Sequence, residues 1–341
     1  MIGWGVWAGL AASPFLADVD RRDRNLARIA GTVVGGLIVG VVGALASMIL
    51  ILALYTLAVG LGGEGMKGIG EVALRLRSAA APDLALTILE LLIAAASTGV
   101  FAAAFVAVAA LLARRPFHTY VTAAPRVRWR LLGVGLILSA IALAPLVAAD
   151  RLLSGQTGAI PLLAVAPGAM GAAGYALSAL LLIPAAAGEE LLFRGWLLRQ
   201  LAAFTRRPIV LCALTGMAFS AAHLDFSPDG FLTRALMGAS FAYMTLRLGG
   251  IELSTAAHAV NNIAIVLFIQ PLTASIASTA PGLSAGSLAE DAVMVAGYVA
   301  IAEAVARIGP LRRWAGVRLG EVAQSAGRRR PAFDKARPPP S

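Results

Sequence analysis

Charge is what this sequence has least of. Only 13% of its 341 residues are Asp, Glu, Lys or Arg, about half the share of an ordinary soluble domain. With 59% hydrophobic residues and a mean hydropathy of +0.82, the chain has too few charges to wrap a soluble core of its length. Lysine is nearly absent: Lys67 and Lys335 are the only two, so the net charge of +10 rests on arginine. Aromatics make up 6%, and no basic face is interleaved with them, which excludes a nucleic-acid surface. Cys212 stands alone. An intrachain disulfide is impossible, and its apolar neighbours mark it as packing. No basic residue precedes the apolar first 17 residues, as a secretory signal would require. The charges from Asp18 to Arg28 follow instead, so residues 1–28 read as a short interfacial or buried helix on the cytoplasmic side. The H-E-x-x-H zinc signature is missing as well.

What is present is a series of apolar runs longer than the roughly 18 residues needed to cross a bilayer. Lipid leaves helices or a closed barrel as the only options, and continuous apolar runs lack the alternation of barrel strands. The expectation is an all-α polytopic membrane protein, a bundle of about eight transmembrane helices within residues 29–310. The expected spans are 29–60, 84–113, 131–152, 175–205, 208–224, 231–248, 251–270 and 289–309. A Gly- and Pro-rich stretch at 153–174 could be a loop, a re-entrant piece or part of another span. With eight spans, the arginines at 21–28, 114–130, 206–207 and 312–330 fall on one side. The positive-inside rule makes that side cytoplasmic, together with both termini. The loop near 61–83 then lies outside, and the basic tail 311–341, ending in RPPPS, reads as disordered.

One segment breaks the apolar pattern. In GEELLFRGWL, Gly188 to Leu197, three charges fall within a hydrophobic run. A charge at the bilayer centre costs at least about 2.5–3.5 kcal/mol, and such residues face the bundle interior. Glu190 and Arg194 are spaced i, i+4 and can neutralise each other. Glu189 points about 100° away and has no partner on its own helix. Phe193 and Phe219 read as core packing.

Partners for Glu189 exist on later helices. Two of the chain's three histidines are in apolar runs: His223 ends FSAAH and His258 begins HAVNN, with Asn262 four residues on. If Arg206–Arg207 mark the turn between two antiparallel helices, Glu189 and His223 both lie about 25 Å from it at 1.5 Å per residue. They are therefore level. His258 and Asn262 enter from the same side after Gly249–Gly250. A carboxylate and an imidazole on one water make it a nucleophile, while a second imidazole and an amide can donate to an oxyanion. That set describes peptide hydrolysis. His118, in a basic loop, reads as solvated.

The ordered trio EELLFR, FSAAH and HAVNN, on successive helices, resembles the E-E-x-x-x-R, F-x-x-x-H and H-x-x-x-N motifs of the CPBP family. That family holds the type 2 CAAX prenyl proteases and bacterial Abi-type proteins. The likeness covers about residues 175–270. It implies an intramembrane endopeptidase in which Glu189 with His223 activates water and His258 with Asn262 stabilises the oxyanion. Glu190 and Arg194 would hold the site together. No cofactor is favoured; in a zinc-dependent version Glu189, His223 and His258 would be the ligands. The family's eukaryotic members cut prenylated C-termini. The arginine-rich, lysine-poor composition points instead to a bacterial inner membrane and to a membrane-associated protein or peptide as substrate. Two rival classes remain: a proton-coupled transporter, which should show two related halves, and a non-catalytic membrane partner of immunity type.

Overall fold

The computed structural model describes residues 4–59, 84–153, 168–269 and 282–317. The expectations for the loop 61–83, for most of 153–174 and for the tail beyond 317 lie outside these residues. Among the described residues the fold is helical, and the only β pairing is an isolated bridge between Thr122 and Gly250.

After a short helix α1 (Trp4–Ala11), the long elements are α2 (Leu26–Val59), α3 (Leu84–Ala113), α4 (Trp129–Leu153) and α5 (Ala169–Glu190). A π-helical segment, Leu191–Leu197, carries α5 on into α6 (Leu198–Ala202). Then come α7 (Pro208–Ala222), α8 (Pro228–Leu248) and α9 (Glu252–Ile263), the last continued by a second π-helical segment, Ala264–Ile269. Finally α10 (Ala285–Arg307) and α11 (Gly309–Trp314) close the described chain. The eight segments expected from the sequence are all helical. Four are long and apolar enough to cross a membrane: Leu26–Ala58, Leu84–Ala113, Trp129–Ala149 and Ala169–Ala202. The others are shorter, as in α7 and α9, or more polar, as in α8 and α10, so helix content alone does not supply eight spans.

Glycines set how closely these helices approach. A Cβ on Gly36 or Gly40 of α2 would meet the rings of Phe105 or Phe101 of α3 at 2.6–2.7 Å. The two run antiparallel, and one face of α2, including Ile38, Val42, Leu45 and Ile49, is exposed as a lipid-facing surface would be. In α5, a Cβ on Gly188 would stand 2.9 Å from the Thr98 carbonyl of α3. α7 and α8 cross with a Gly238 Cβ position only 2.9 Å from the Gly216 Cα. These contacts replace the hydrophobic effect, which lipid does not supply between helices.

The arginines gather at one end of the body, where the N-terminal segment is packed in. Phe15 and Leu16 are 0% exposed, and Ser13 donates to the Leu246 carbonyl at 2.6 Å. Arg199 holds Asp18 (2.6 Å) and the Phe15 carbonyl (2.7 Å), Arg206 the Val19 carbonyl (2.6 Å), and Arg24 the Ala203 carbonyl (2.6 Å). Arg115 and Arg28 both reach Asp23 at 2.7 Å. Burial pushes the Asp23 carboxyl up, but hydrogen bonds from Arg115 and the Asp20 amide and the charges of Arg115 and Arg28 outweigh it, leaving it below its ordinary value. Arg128 pairs with Glu252 at 2.6 Å, so α4 and α9 both start at this end. Gly249, at φ +75°, ends α8 in the left-handed region, where glycine carries no steric cost. The Gly249 carbonyl then accepts from the Ala123 amide at 2.9 Å.

Candidate active site

Four elements converge below the opposite end: α5 with its π segment, α7, α8 and α9. Glu189 and Glu190 close α5, and the helix widens immediately afterwards through Leu191–Leu197. Such π turns cost regular hydrogen bonding and are frequent at functional sites. Glycines flank this one where backbone touches backbone: Gly188 lies against Thr98, and a Cβ on Gly195 would meet the Tyr120 carbonyl at 2.6 Å.

The pair expected from the spacing is present. Arg194 donates to Glu190 at 2.7 Å, and both side chains are 0% exposed. Arg194 also donates to the Gly238 carbonyl at 2.8 Å. Its guanidinium lies over Phe219 at 4.6 Å and near Phe241 at 5.3 Å, so ring faces replace water around the buried cation. The i, i+4 spacing alone accounts for Glu190 through Arg194. The structure adds a second partner: the same Oε1 accepts from Nδ1 of His258 at 3.0 Å. Glu190 thus joins the charge pair to a histidine on another helix.

That bond determines what His258 can offer. A carboxylate only accepts, so Nδ1 carries the hydrogen. Nε2 is then directed at Oε2 of Glu189, 3.7 Å away. Phe241 stacks on the ring at 5.3 Å and Phe219 meets it edge-on at 5.4 Å. His223 follows the same logic. Its Nδ1 lies 2.9 Å from the Phe219 carbonyl, which can only accept, and its Nε2 faces the same Glu189 oxygen at 4.0 Å. Leu224, the next residue, takes φ +56°, and the chain turns away from the helix axis there.

Glu189, His223 and His258 are therefore brought together as the depth arithmetic expected. Asn262 is half-buried, one turn beyond His258 in the last α-helical turn before the second π segment. The distances from Glu189 are too long for direct hydrogen bonds. Among the described residues no group of three His, Cys, Asp or Glu side chains is gathered for a metal ion. Access is graded: the side chain of His223 is 35% exposed, that of Glu189 26% and that of His258 2%. The most exposed of the three, His223, follows the last residue of α7, at the end away from Arg207.

Phe193 and Phe219 do pack, at 5.3 Å, but Phe219 does more than fill space. Fully buried, it touches both histidines and Arg194. Phe241 and Gly238 were not foreseen. Each is an apolar residue of α8, and nothing in the sequence sets it apart. His118 is exposed, as expected. Asp225 caps its own turn, accepting from the Ser227 amide at 3.0 Å and from Arg234 at 2.7 Å.

Comparison with known proteins follows the same stretch of chain. Residues 171–264 match the family model described as Type II CAAX prenyl endopeptidase Rce1-like. The uncharacterized protein YyaK of Bacillus subtilis is 30% identical over 173 residues, 46% of this chain and 53% of that protein. The chain thus spans about half the length of the curated relative it matches. No solved structure matches the chain. The matched segment holds Glu189, His223 and His258 together on helices of a body that carries four candidate spans, so the chain is an integral membrane protein whose core is similar to the Rce1-like proteins of the CPBP family.

Proposed function

We propose that this chain is an intramembrane endopeptidase that cleaves a membrane-associated protein or peptide with a water activated by Glu189. The observation that carries this reading is the approach of two imidazole Nε2 atoms to a single oxygen of Glu189, at 3.7 and 4.0 Å. A water between Glu189 and His223 would lose a proton to the carboxylate as its oxygen attacks a peptide carbonyl carbon. The proton then passes to the leaving amine nitrogen as the C–N bond breaks. The developing oxyanion would be met by His258 and Asn262. Donation from Nε2 of His258 requires both ring hydrogens, a charge that Glu190 on the other nitrogen offsets. Glu190 and Arg194 act by fixing that ring.

The proposal takes glutamate catalysis; in a zinc-dependent version of the same site Glu189, His223 and His258 would be the ligands. The gathering of arginines at one end supports the expected topology, with that end cytoplasmic and about eight helices crossing the membrane. The cluster of Glu189, Glu190, Arg194, His223 and His258 lies in the second half of the chain, which counts against a transporter built of two related halves.

The test compares purified wild type with Glu189→Gln on a library of membrane-anchored peptides, read by mass spectrometry. Cleavage by the wild type and none by the variant is the expected result. Full activity in Glu189→Gln rules out Glu189 as the base. A wild type that cleaves nothing, with unchanged cellular function in Glu189→Gln, favours the non-catalytic partner.

A further inference from the structure

Tyr298 lies on α10, beyond the segment 171–264 that matches the family. It is 2% exposed and makes two contacts. Its ring meets Phe241 edge-on at 5.1 Å, and Phe241 in turn stacks on His258. Its hydroxyl donates to Oδ1 of Asn261 at 3.3 Å, and Asn261 is 9% exposed. One side chain therefore touches the immediate neighbours of both groups assigned to the oxyanion.

We propose that Tyr298 is a positioning residue for His258 and Asn262. The inference rests on the hydrolytic reading above. A phenol and a carboxamide buried among apolar helices each cost free energy unless paired, and Phe and Leu at the two positions would fill the space without that debt. The pairing falls in the last α-helical turn of α9, just before the backbone widens into the second π segment. A widened turn has lost the regular ladder that fixes rotation about the helix axis. Asn261 and Asn262 project about 100° apart, so a bond holding Asn261 from α10 fixes the direction of Asn262. The height of Tyr298 is fixed in turn. About 7.5 Å along α10, Glu303 accepts from Tyr243 and Arg247 of α8, both at 2.6 Å. The ring contact through Phe241 holds the other donor, His258, against tilting.

The test uses Tyr298→Phe, which keeps the ring and removes the hydroxyl, and Tyr298→Leu, which removes both contacts. With only three histidines in the chain, their ring nitrogens are resolvable in ¹⁵N-histidine-labelled protein and assignable by single substitutions. Tyr298→Phe should lower kcat about 3- to 10-fold with KM unchanged. It should leave the His258 ring signals near their wild-type positions, whereas Tyr298→Leu, which also loses the ring contact with Phe241, should shift them, leave those of His118 in place and lower kcat further. Asn261→Ala should match Tyr298→Phe, and the double variant should be no worse than either single one. Wild-type kcat in Tyr298→Phe together with unmoved His258 signals in Tyr298→Leu, even with a lowered melting temperature, would overturn the inference by making the residue a packing element. If the wild type cleaves no peptide, the hydrolytic reading falls, and the imidazole spectra alone decide whether Tyr298 holds His258.

Discussion

The two adjacent glutamates should part company when each is changed to glutamine. Glu190 is fully buried and its Oε1 takes two charged or polar donors, Arg194 at 2.7 Å and His258 at 3.0 Å. Glutamine keeps the volume and one acceptor but leaves Arg194, also 0% exposed, with no counter-charge. Breaking a buried pair in this way costs about 3–5 kcal/mol. Glu189 has 26% of its side chain exposed and no nitrogen of either histidine nearer than 3.7 Å. Its loss should cost less than about 1 kcal/mol, as for exposed pairs. The expected gap between the two variants is thus at least about 2 kcal/mol. Reversible unfolding in mixed micelles, titrated with a denaturing detergent, measures it. Glu189→Gln should unfold with the wild type while losing peptide cleavage. Glu190→Gln should unfold at much lower detergent fraction and lose activity as well. Superimposable curves for Glu190→Gln and wild type would refute the buried charge centre outright.

Other outcomes follow from the same geometry. Gly238→Ala places a Cβ 2.9 Å from the Gly216 Cα and 3.1 Å from Arg194 Nη2; overpacking of this kind should cost about 1–3 kcal/mol, read in the same unfolding assay. Asn262→Asp should lower kcat by about 10²–10³ while substrate affinity changes little, measured in single-turnover and binding experiments. Prolonged dialysis against a strong chelator should leave cleavage intact; loss of activity that zinc restores, with near-stoichiometric zinc by elemental analysis, would make Glu189, His223 and His258 metal ligands. Asp23, with its folded value held below the ordinary 3.8, contributes stability above the unfolded value that is lost as pH falls through the folded one. The melting temperature should therefore drop on acidification below about pH 4. Asp23→Asn should melt lower at neutral pH, by about 1–3 kcal/mol of lost stability, and show a flatter acid limb.

The helices were legible because a lipid solvent leaves an apolar run no other regular choice: the range 84–113 expected from the sequence is the helix Leu84–Ala113. The level meeting of Glu189 and His223 was legible too, since both lie on helices joined by one turn and need only a rise per residue. Rotation about the axis was not legible. The expected helix 175–205 contains a π turn beginning at Leu191, and i, i+4 arithmetic cannot see one, so the bond from His258 to Glu190 went unforeseen. Asn261 and Tyr298 were hidden for a different reason. A hydrogen bond between separate helices leaves no spacing signature, and a tyrosine in an apolar run looks like packing.

The packed N-terminal segment has a consequence for the order in which the protein is assembled. Its binding partners, Arg115, Arg199, Arg206 and the Leu246 carbonyl, are made long after it. At about 5–20 residues per second of synthesis, residues 13–24 wait on the order of ten seconds or more for Arg206, with Phe15 and Leu16 uncovered meanwhile. α2 follows them directly and packs mainly on α3, so it can enter the bilayer while the segment before it is still undocked. Closure over Arg199 and Arg206 is then a late step, in which residues made well before their partners are among the last to find their place. A bulky fusion at the start of the chain should therefore trap a body whose helices are inserted but whose arginine end has not shut.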